Sequence, residues 1–246
     1  MDNKTITINN SGGRTYTQNQ CVSEAGSGRR KKARQPNVFR QPHTGHEMPS
    51  TFKNASSANP TKTKIATWNA NSFRSEVAQV NAIDILRKGG AKILLITETH
   101  LFAGGKVSYG DYTLFSSPCL KESNNSFAGV GFFLSKDDEI NWCPSFTPIS
   151  DRVGKLTLTE KGNKIHFIVA YASTEVVCER NKDARKRFFD QLRHALQEVD
   201  LKRDTIVIGG DFNCRIGKIE NSLTTGLHSP SDTTSDSGAE LLFFCE

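Results

Sequence analysis

Carboxylate, amide and phenol side chains follow four apolar segments of the sequence, each at the point where a strand is predicted to end. The segments are IATW, ILLIT, IHFIVA and TIVIGG, and the residues that follow them are Asn69, Glu98, Tyr171, Asp211 and Asn213. Carboxylate, amide and water oxygens suit a hard cation such as Mg²⁺, which takes one or two protein carboxylates and keeps several waters. A phosphodiester supplies further oxygens, and a positioned carboxylate orients or deprotonates the attacking water. The set therefore predicts a site for metal-assisted phosphodiester hydrolysis.

Each of these residues alone also has a purely structural explanation. Asn69 and Asn213 are typical of turns and caps, Glu98 of a solvated strand end, and Tyr171 of a half-buried strand. Their joint occurrence favours a site, because ligands of α/β sheets bind beyond the carboxyl ends of the strands. The glycines at 209–210 remove side-chain bulk where a backbone or a ligand must come close.

The elements that carry these residues predict a mixed α/β fold. A strand over 64–71, a helix over 76–88 and an apolar strand over 93–96 form a βαβ unit. The apolar spacing in the helix predicts one core-facing side, formed by Val77, Val80, Ile83, Ile85 and Leu86.

The second half of the folded region predicts hairpins followed by another crossover. Strands are expected over 112–116, 130–135, 155–159 and 164–172, the last two joined by a turn at 160–163. A helix over 180–199 then precedes the strand that begins at Thr205. Parallel pairing is expected where helices cross over, and antiparallel hairpins elsewhere.

The first 63 residues differ from the rest in composition and charge. They carry ten Lys and Arg against three Asp and Glu, whereas residues 64–246 carry 22 against 23. We expect residues 1–63 to form a disordered basic tail, because they cannot bury enough apolar surface to offset the entropy of ordering. Residues 64–246 are long enough for one folded domain. The run RRKKAR at 29–34 is either a nuclear-import signal or nucleic-acid contact, or a solvated charge run in a linker.

The sequence also bounds the cellular compartment. The six cysteines are scattered without a CxxC pair, which argues against a zinc site. No secretion leader opens the chain, and no apolar run approaches about 18 residues. We therefore expect a reduced, intracellular protein without a membrane partner, located in the nucleus or, alternatively, in the cytoplasm.

Several motifs together point to a known family. The segments WNANS, LLITETHLF, AGVGFFLS, SDRV, IVAYAST and VIGGDFNCRIG occur in this order within residues 64–246. In combination they resemble the endonuclease/exonuclease/phosphatase superfamily. Within it, they are most similar to the apurinic-type endonuclease domain of non-LTR retrotransposons and its domesticated, craniofacial development protein 2-like copies.

The resemblance implies a fold, a reaction and a role for each residue. The fold is a four-layer α/β sandwich of two mixed sheets flanked by helices, and the reaction is hydrolysis of DNA phosphodiester bonds with Mg²⁺ or Mn²⁺. It implies that Glu98 is the metal-ligating carboxylate and that Asn69 supports the metal and its water. It further implies that Tyr171 contacts the scissile phosphate, that Asp211 orients the attacking water and that Asn213 donates to the phosphate. Arg152 in SDRV also matches the pattern, without an assigned role.

The sequence departs from the family pattern in its last part. The family's later strands, a further aspartate and a final Ser-Asp-His are not found after residue 214, and His228 is a poor substitute. A capping box at 237–240 predicts a short final helix. Because the strands that would pair beyond the two phenylalanines of this helix are absent, we expect a bare sheet edge. These features predict a domain that is incomplete at its C-terminus and impaired in catalysis.

Three functions follow from these observations. The main interpretation is a metal-dependent endonuclease domain of retroelement origin that acts on DNA, with the activity of this chain left open. One alternative is a non-enzymatic, domesticated protein whose basic tail binds nucleic acid or a nuclear partner. The other is a superfamily member that acts on other phosphoesters, such as inositol phosphates or RNA tails.

Overall fold

A computed structural model describes residues 63–119, 128–160, 162–219, 224–225 and 231–246, and the backbone of 4–9 and 15–19. The strands are β1 Lys4–Asn9, β2 Thr15–Asn19, β3 Lys64–Asn69, β4 Ala91–Thr97, β5 Gly105–Tyr109, β6 Tyr112–Ser116, β7 Val130–Ser135, β8 Ser145–Pro148, β9 Val153–Glu160, β10 Asn163–Tyr171 and β11 Thr205–Asp211. The helices are α1 Glu76–Gly89, α2 Lys136–Trp142, α3 Glu175–Arg180, α4 Lys182–Leu196 and α5 Asp236–Cys245. Over the described residues, no helix combines the length and the apolar character needed to cross a bilayer.

The strands form two mixed sheets. One has the order β2-β1-β11-β10-β9-β8 and the other β3-β4-β7-β6-β5. β3 and β4 pair in parallel across α1, and β10 and β11 pair in parallel across α4, as the helical crossovers predicted. β9 and β10 form the expected antiparallel hairpin. The predicted fold class, two mixed sheets flanked by helices, is therefore confirmed.

Three apolar clusters separate four layers. The cluster between the sheets takes alternate residues of β4 and β7 from one sheet and of β9, β10 and β11 from the other. The intervening residues of β4 and β7 pack under α1, and those of β10 and β11 pack under α4 and α5. Because side chains alternate across a strand, each central strand contributes side chains to two clusters. This explains why these segments are apolar throughout.

An N-terminal hairpin lies within the segment that we expected to be disordered. β1 pairs antiparallel with β11, with Ile6 opposite Ile208, and β2 pairs with β1. The strands at residues 4–9 and 15–19 differ from the disorder expected for this segment, and the disordered tail as a whole stays a prediction. Within the segment KTITIN, Thr alternates with Ile over residues 5–8, a pattern typical of strands that the average composition of the tail concealed.

The same hairpin changes the expectation for the sheet edge. β11 is covered by β1 and is not a bare edge. The rest of the tail, including the basic run at 29–34, lies outside the described residues, as does His228. The domain boundary at residue 63 stays a prediction.

The apolar side of α1 differs from the predicted one. Its buried residues are Ala78, Ala82, Ile85, Leu86 and Gly89, whereas Val77 and Val80 are 64% and 57% exposed. Residues spaced by three drift by about 60° per step around a helix, so a run with that spacing leaves the core-facing side. Spacings that mix three and four residues stay on it.

Several element boundaries also differ from expectation. The helix predicted over 180–199 is α4, which is shorter at both ends, and the extended Asn181, with φ −136° and ψ 90°, separates it from α3, which was not predicted. β5, β8 and α2 were not predicted. The cap of α5 is Ser235, whose side chain accepts from the Gly238 amide, and not Ser237. Ser237 is buried and accepts from Arg185 Nε instead.

Candidate active site

The ends of four strands meet at one edge of the sandwich. In the first sheet Tyr171 lies opposite Asp211, and in the second Asn69 lies opposite Thr97, the residue before Glu98. The sheets pack face to face through the shared cluster that includes Tyr171. Side chains that are far apart in the sequence therefore project into a common space.

Asn69 joins the two carboxylates of this space. Its Nδ2 donates to Glu98 Oε1 over 2.7 Å and to Asp211 Oδ2 over 3.1 Å, which links one sheet to the other. Its Oδ1 accepts from the Asn71 amide over 3.1 Å. The amide group is thus held on both sides, and its donor end faces the carboxylates.

Tyr171 lies between Glu98 and Arg152. Its hydroxyl donates to Glu98 Oε1 over 2.8 Å, and the Arg152 guanidinium carbon lies 5.0 Å from the centre of the tyrosine ring. Burial, together with the charge of Glu98, raises the pKa of Tyr171 well above its usual value. Tyr171 is therefore a neutral donor, and contact with a phosphate requires its one hydrogen to leave Glu98.

Asp211 and Asn213 form a local turn at the end of β11. The Asn213 amide donates to Asp211 Oδ1 over 3.0 Å, and Asn213 Nδ2 donates to the Ala172 carbonyl over 2.8 Å. The carboxamide nitrogen carries a second hydrogen, which is the donor available for a ligand oxygen. The structure thus brings together all five residues that the sequence predicted for the site.

The two glycines before Asp211 allow close approach of two different neighbours. A Cβ on Gly209 would lie 2.9 Å from Leu95 Cδ2 of the opposite sheet. A Cβ on Gly210, whose φ is +142°, would lie 1.9 Å from the Ala170 carbonyl oxygen of β10. Gly210 is therefore required by packing against backbone, whereas a side chain at position 209 would need the Leu95 side chain to shift.

Backbone strain is concentrated in the same place. Of the six described residues other than glycine that have positive φ, between 43° and 94°, five lie here and only Cys143 lies elsewhere: Asn71, Ser72, Glu98, His100 and Asn213. Hydrogen bonds between two loops hold this geometry, since the Ser72 amide donates to the Glu98 carbonyl and the Phe73 amide to the Thr99 carbonyl. Positive φ in such residues costs free energy and is frequent at functional sites.

The donor set fits a hard divalent cation. Two carboxylates share one half-buried space, and Glu98 is buried, so a cation there offsets their mutual repulsion. Within the described part of the chain no group of three or more His, Cys, Asp and Glu is arranged around a common point. A magnesium-type ion needs only one or two carboxylates, with the remaining ligands from water and phosphate.

Two neighbouring residues were missed by the sequence reasoning. His100 Nε2 lies 3.8 Å from Glu98 Oε2, and Arg74 Nε donates to the His100 carbonyl over 2.6 Å. His100 is part of the TETH motif, so its proximity to Glu98 was open to prediction. Arg74 gave no such signal, because its contact depends on how the two loops pair.

This chain is similar to solved structures but not to any known family profile. No protein-family profile matches the sequence, and no curated protein is detectably similar to it. Among solved structures, the AP endonuclease LMAP from Leishmania major is similar with a TM-score of 0.52 and 14% identity, over 76% of this chain and 66% of that one. This chain therefore spans slightly less than two thirds of that enzyme.

Two further structures have lower scores. The endonuclease domain of TRAS1, a telomere-specific non-LTR retrotransposon, has a TM-score of 0.47 and 14% identity, over 74% of this chain and 69% of that one. An AP endonuclease from Archaeoglobus fulgidus has a TM-score of 0.47 and 21% identity, over 75% and 70%. At these identities the similarity concerns the fold. The two mixed sheets and flanking helices of this chain match the fold of the AP endonuclease from Leishmania major.

Proposed function

We propose that this protein is a nuclease-type phosphodiester hydrolase that depends on Mg²⁺ or Mn²⁺ and acts on DNA. The observation that carries the proposal is the contact of one amide nitrogen, Asn69 Nδ2, with both Glu98 and Asp211. This contact gathers two carboxylates where the strands end, which is the place that α/β folds use for ligands. The AP endonuclease from Leishmania major shares the fold and supports the reaction class.

Each residue has a distinct part in this mechanism. Asp211 accepts a proton from the attacking water or orients that water, because its carboxylate lies at the half-exposed end of β11. Asn213 donates its second amide hydrogen to a phosphate oxygen, which stabilises negative charge there without adding any. Asn69 keeps the two carboxylates at a fixed separation.

Glu98 is the residue that would hold the metal ion. Its Oε1 accepts from Asn69 and Tyr171, so both donors orient the carboxylate. The bound ion would supply charge stabilisation to the phosphoryl oxygens. Asn69 presents its nitrogen to the carboxylates, so direct ligation by its oxygen would require that amide to turn.

Nicking of supercoiled plasmid tests the proposal. We expect Mg²⁺-dependent nicking by the wild-type protein and its loss in Glu98→Ala and Asp211→Ala. Nicking that survives both substitutions would show that the site lies elsewhere.

The other predicted functions stay proposals. A non-enzymatic role of the tail and a nuclear location both depend on the basic run at 29–34, which lies outside the described residues. Tail-driven binding should weaken steeply with salt and disappear when residues 28–40 are deleted. Hydrolysis of other phosphoesters is tested by offering inositol phosphates and RNA to the same protein.

A further inference from the structure

An exposed aromatic side chain lies beside the candidate site. Phe102 follows Glu98 by four residues, and half of its surface, 50%, is exposed. The guanidinium carbon of Arg74 lies 4.2 Å from the centre of the Phe102 ring. The pair therefore combines an aromatic ring with a planar cation at the rim of a site for a polyanion.

The pair is held in position by the backbone around it. The Arg74 guanidinium is fixed by its hydrogen bond to the His100 carbonyl. The Cys119 amide donates to the Leu101 carbonyl over 2.7 Å, which ties the residue before Phe102 to the segment that follows β6. Phe73, next to Arg74, is fully buried between Tyr109 and Phe133. The ring is thus presented on a rigid support.

We propose that Arg74 and Phe102 form a stacking platform for a nucleobase of the bound strand, close to the phosphate at the candidate site. Stacking on an aromatic ring with an adjacent arginine is a usual way to bind single-stranded nucleic acid, and it tolerates any base. The positive charge of Arg74 complements the neighbouring phosphates. The inference rests on the proposed function, because it assigns the platform to the substrate of the same site.

The reach of the chain limits which base is bound. Four residues span at most about 14 Å, so Phe102 lies within that distance of Glu98 along the backbone. Stacked bases are separated by about 3.4 Å along a strand. The platform therefore serves a base within a few nucleotides of the phosphate bound beside Glu98. Such a base must be unstacked from its own duplex, which predicts a preference for flexible or single-stranded substrate.

Binding measured without catalysis tests the platform. The full-length protein is titrated, in EDTA, into a short single-stranded DNA that contains 2-aminopurine, whose fluorescence is quenched by stacking. We expect Phe102→Ala to lose the quenching and to bind about tenfold more weakly, and Phe102→Tyr to restore both. Arg74→Ala should reduce the slope of log affinity against log salt by about one, whereas Phe102→Ala should leave it unchanged.

Phe243→Ala is the matched control. Phe243 is also an exposed phenylalanine, at 71%, but lies on α5 and outside the candidate site, so its loss should leave quenching and affinity unchanged. Circular dichroism of each variant checks the fold. Quenching that is equal in wild type and Phe102→Ala overturns the platform, as does an absence of quenching by the wild type.

The outcome separates the platform from the proposed reaction. Phe102-dependent quenching without plasmid nicking would overturn the hydrolysis and keep the platform as a binding site. Plasmid nicking without Phe102-dependent quenching would overturn the platform alone. If Phe102 instead contacts a protein partner, we expect plasmid nicking without Phe102-dependent quenching.

Discussion

At the scale of single residues, the candidate site depends on how one amide is shared. Glu98 and Asp211 carry like charges in a half-buried space, and Asn69 offsets their repulsion by donating to both. Neutral donors are suited to this position, because they gather carboxylates without cancelling the charge that a cation needs. Tyr171 adds a second neutral donor to Glu98.

Two substitutions of Asn69 are expected to distinguish the effect of losing its hydrogen bonds from the effect of adding a negative charge. Asn69→Ala removes the shared donor, and we expect about 100-fold slower plasmid nicking. Asn69→Asp places a third carboxylate between the other two, so we expect a larger loss of nicking rate and a lower free energy of unfolding. The matched control is Asn141→Ala, on the exposed side of α2, which should nick as wild type. Equal rates for wild type and Asn69→Ala would contradict the role of the bridge.

The phenol of Tyr171 is expected to stay protonated in alkaline solution. Burial and the Glu98 charge raise its pKa above the unfolded value near 10, so its contribution to stability is fully present below about pH 10 and is lost only as the pH rises through the folded pKa. The test is an ultraviolet titration of tyrosinate absorbance. The wild type and Tyr171→Phe should give the same curve up to about pH 10, and a difference below that pH would argue against the buried contact.

At the scale of elements, the end of β11 is shaped by what it packs against. Gly209 lies against Leu95 of the opposite sheet and Gly210 against Ala170 of the neighbouring strand, so Asp211 follows two residues that pack closely on different sides. α5 packs in the same apolar cluster as Phe212, the residue after Asp211, and Arg185 of α4 holds α5 through Asp236. The strand end is therefore enclosed by packing on one side and open to ligands on the other.

Gly210→Ala is expected to destabilise the fold strongly. The new Cβ would overlap the Ala170 carbonyl, at 1.9 Å, and the φ of +142° is unfavourable for alanine. We expect a loss of about 3 kcal/mol or more in the free energy of unfolding, measured with urea. Gly110→Ala is the matched control, since Gly110 has φ +59° but open space around it, and should cost only about 1–2 kcal/mol. Similar losses in the free energy of unfolding for the two variants would show that a Cβ at position 210 does not overlap the Ala170 carbonyl.

At the scale of the whole molecule, the N-terminal hairpin completes one sheet. β1 lies along β11 from Lys4, opposite Gly210, to Ile8, opposite Ile206. The strand that ends in Asp211 is thereby flanked on both sides, by β1 and by β10. A covered edge protects the strand from pairing with other chains.

Removal of residues 1–19 is expected to expose this edge. The β11 amides that face β1 should then exchange with solvent faster, while the pairing of β3 with β4 should keep its protection. Hydrogen exchange followed by mass spectrometry measures both regions in one experiment, and the second region is the internal control. Unchanged exchange in β11 would show that the hairpin does not stabilise the strand.

Much of this architecture was predictable from local patterns. Continuous apolar runs mark β4, β10 and β11 as central strands, and the intervening helical segments predict parallel pairing. Polar residues at the ends of those strands predict the candidate site, because parallel strands in one sheet end at the same edge. Each of these inferences needs only the order of residues along the chain.

Other features depend on contacts between distant segments. Asn69 and Asp211 are 142 residues apart, and nothing in either segment specifies that one amide nitrogen contacts both carboxylates. The pairing of β1 with β11 and the placement of Arg74 over Phe102 are of the same kind. Residue periodicity describes which side of an element is apolar. Which partner covers that side is decided by packing and loop geometry in three dimensions, and so it became known only from the folded chain.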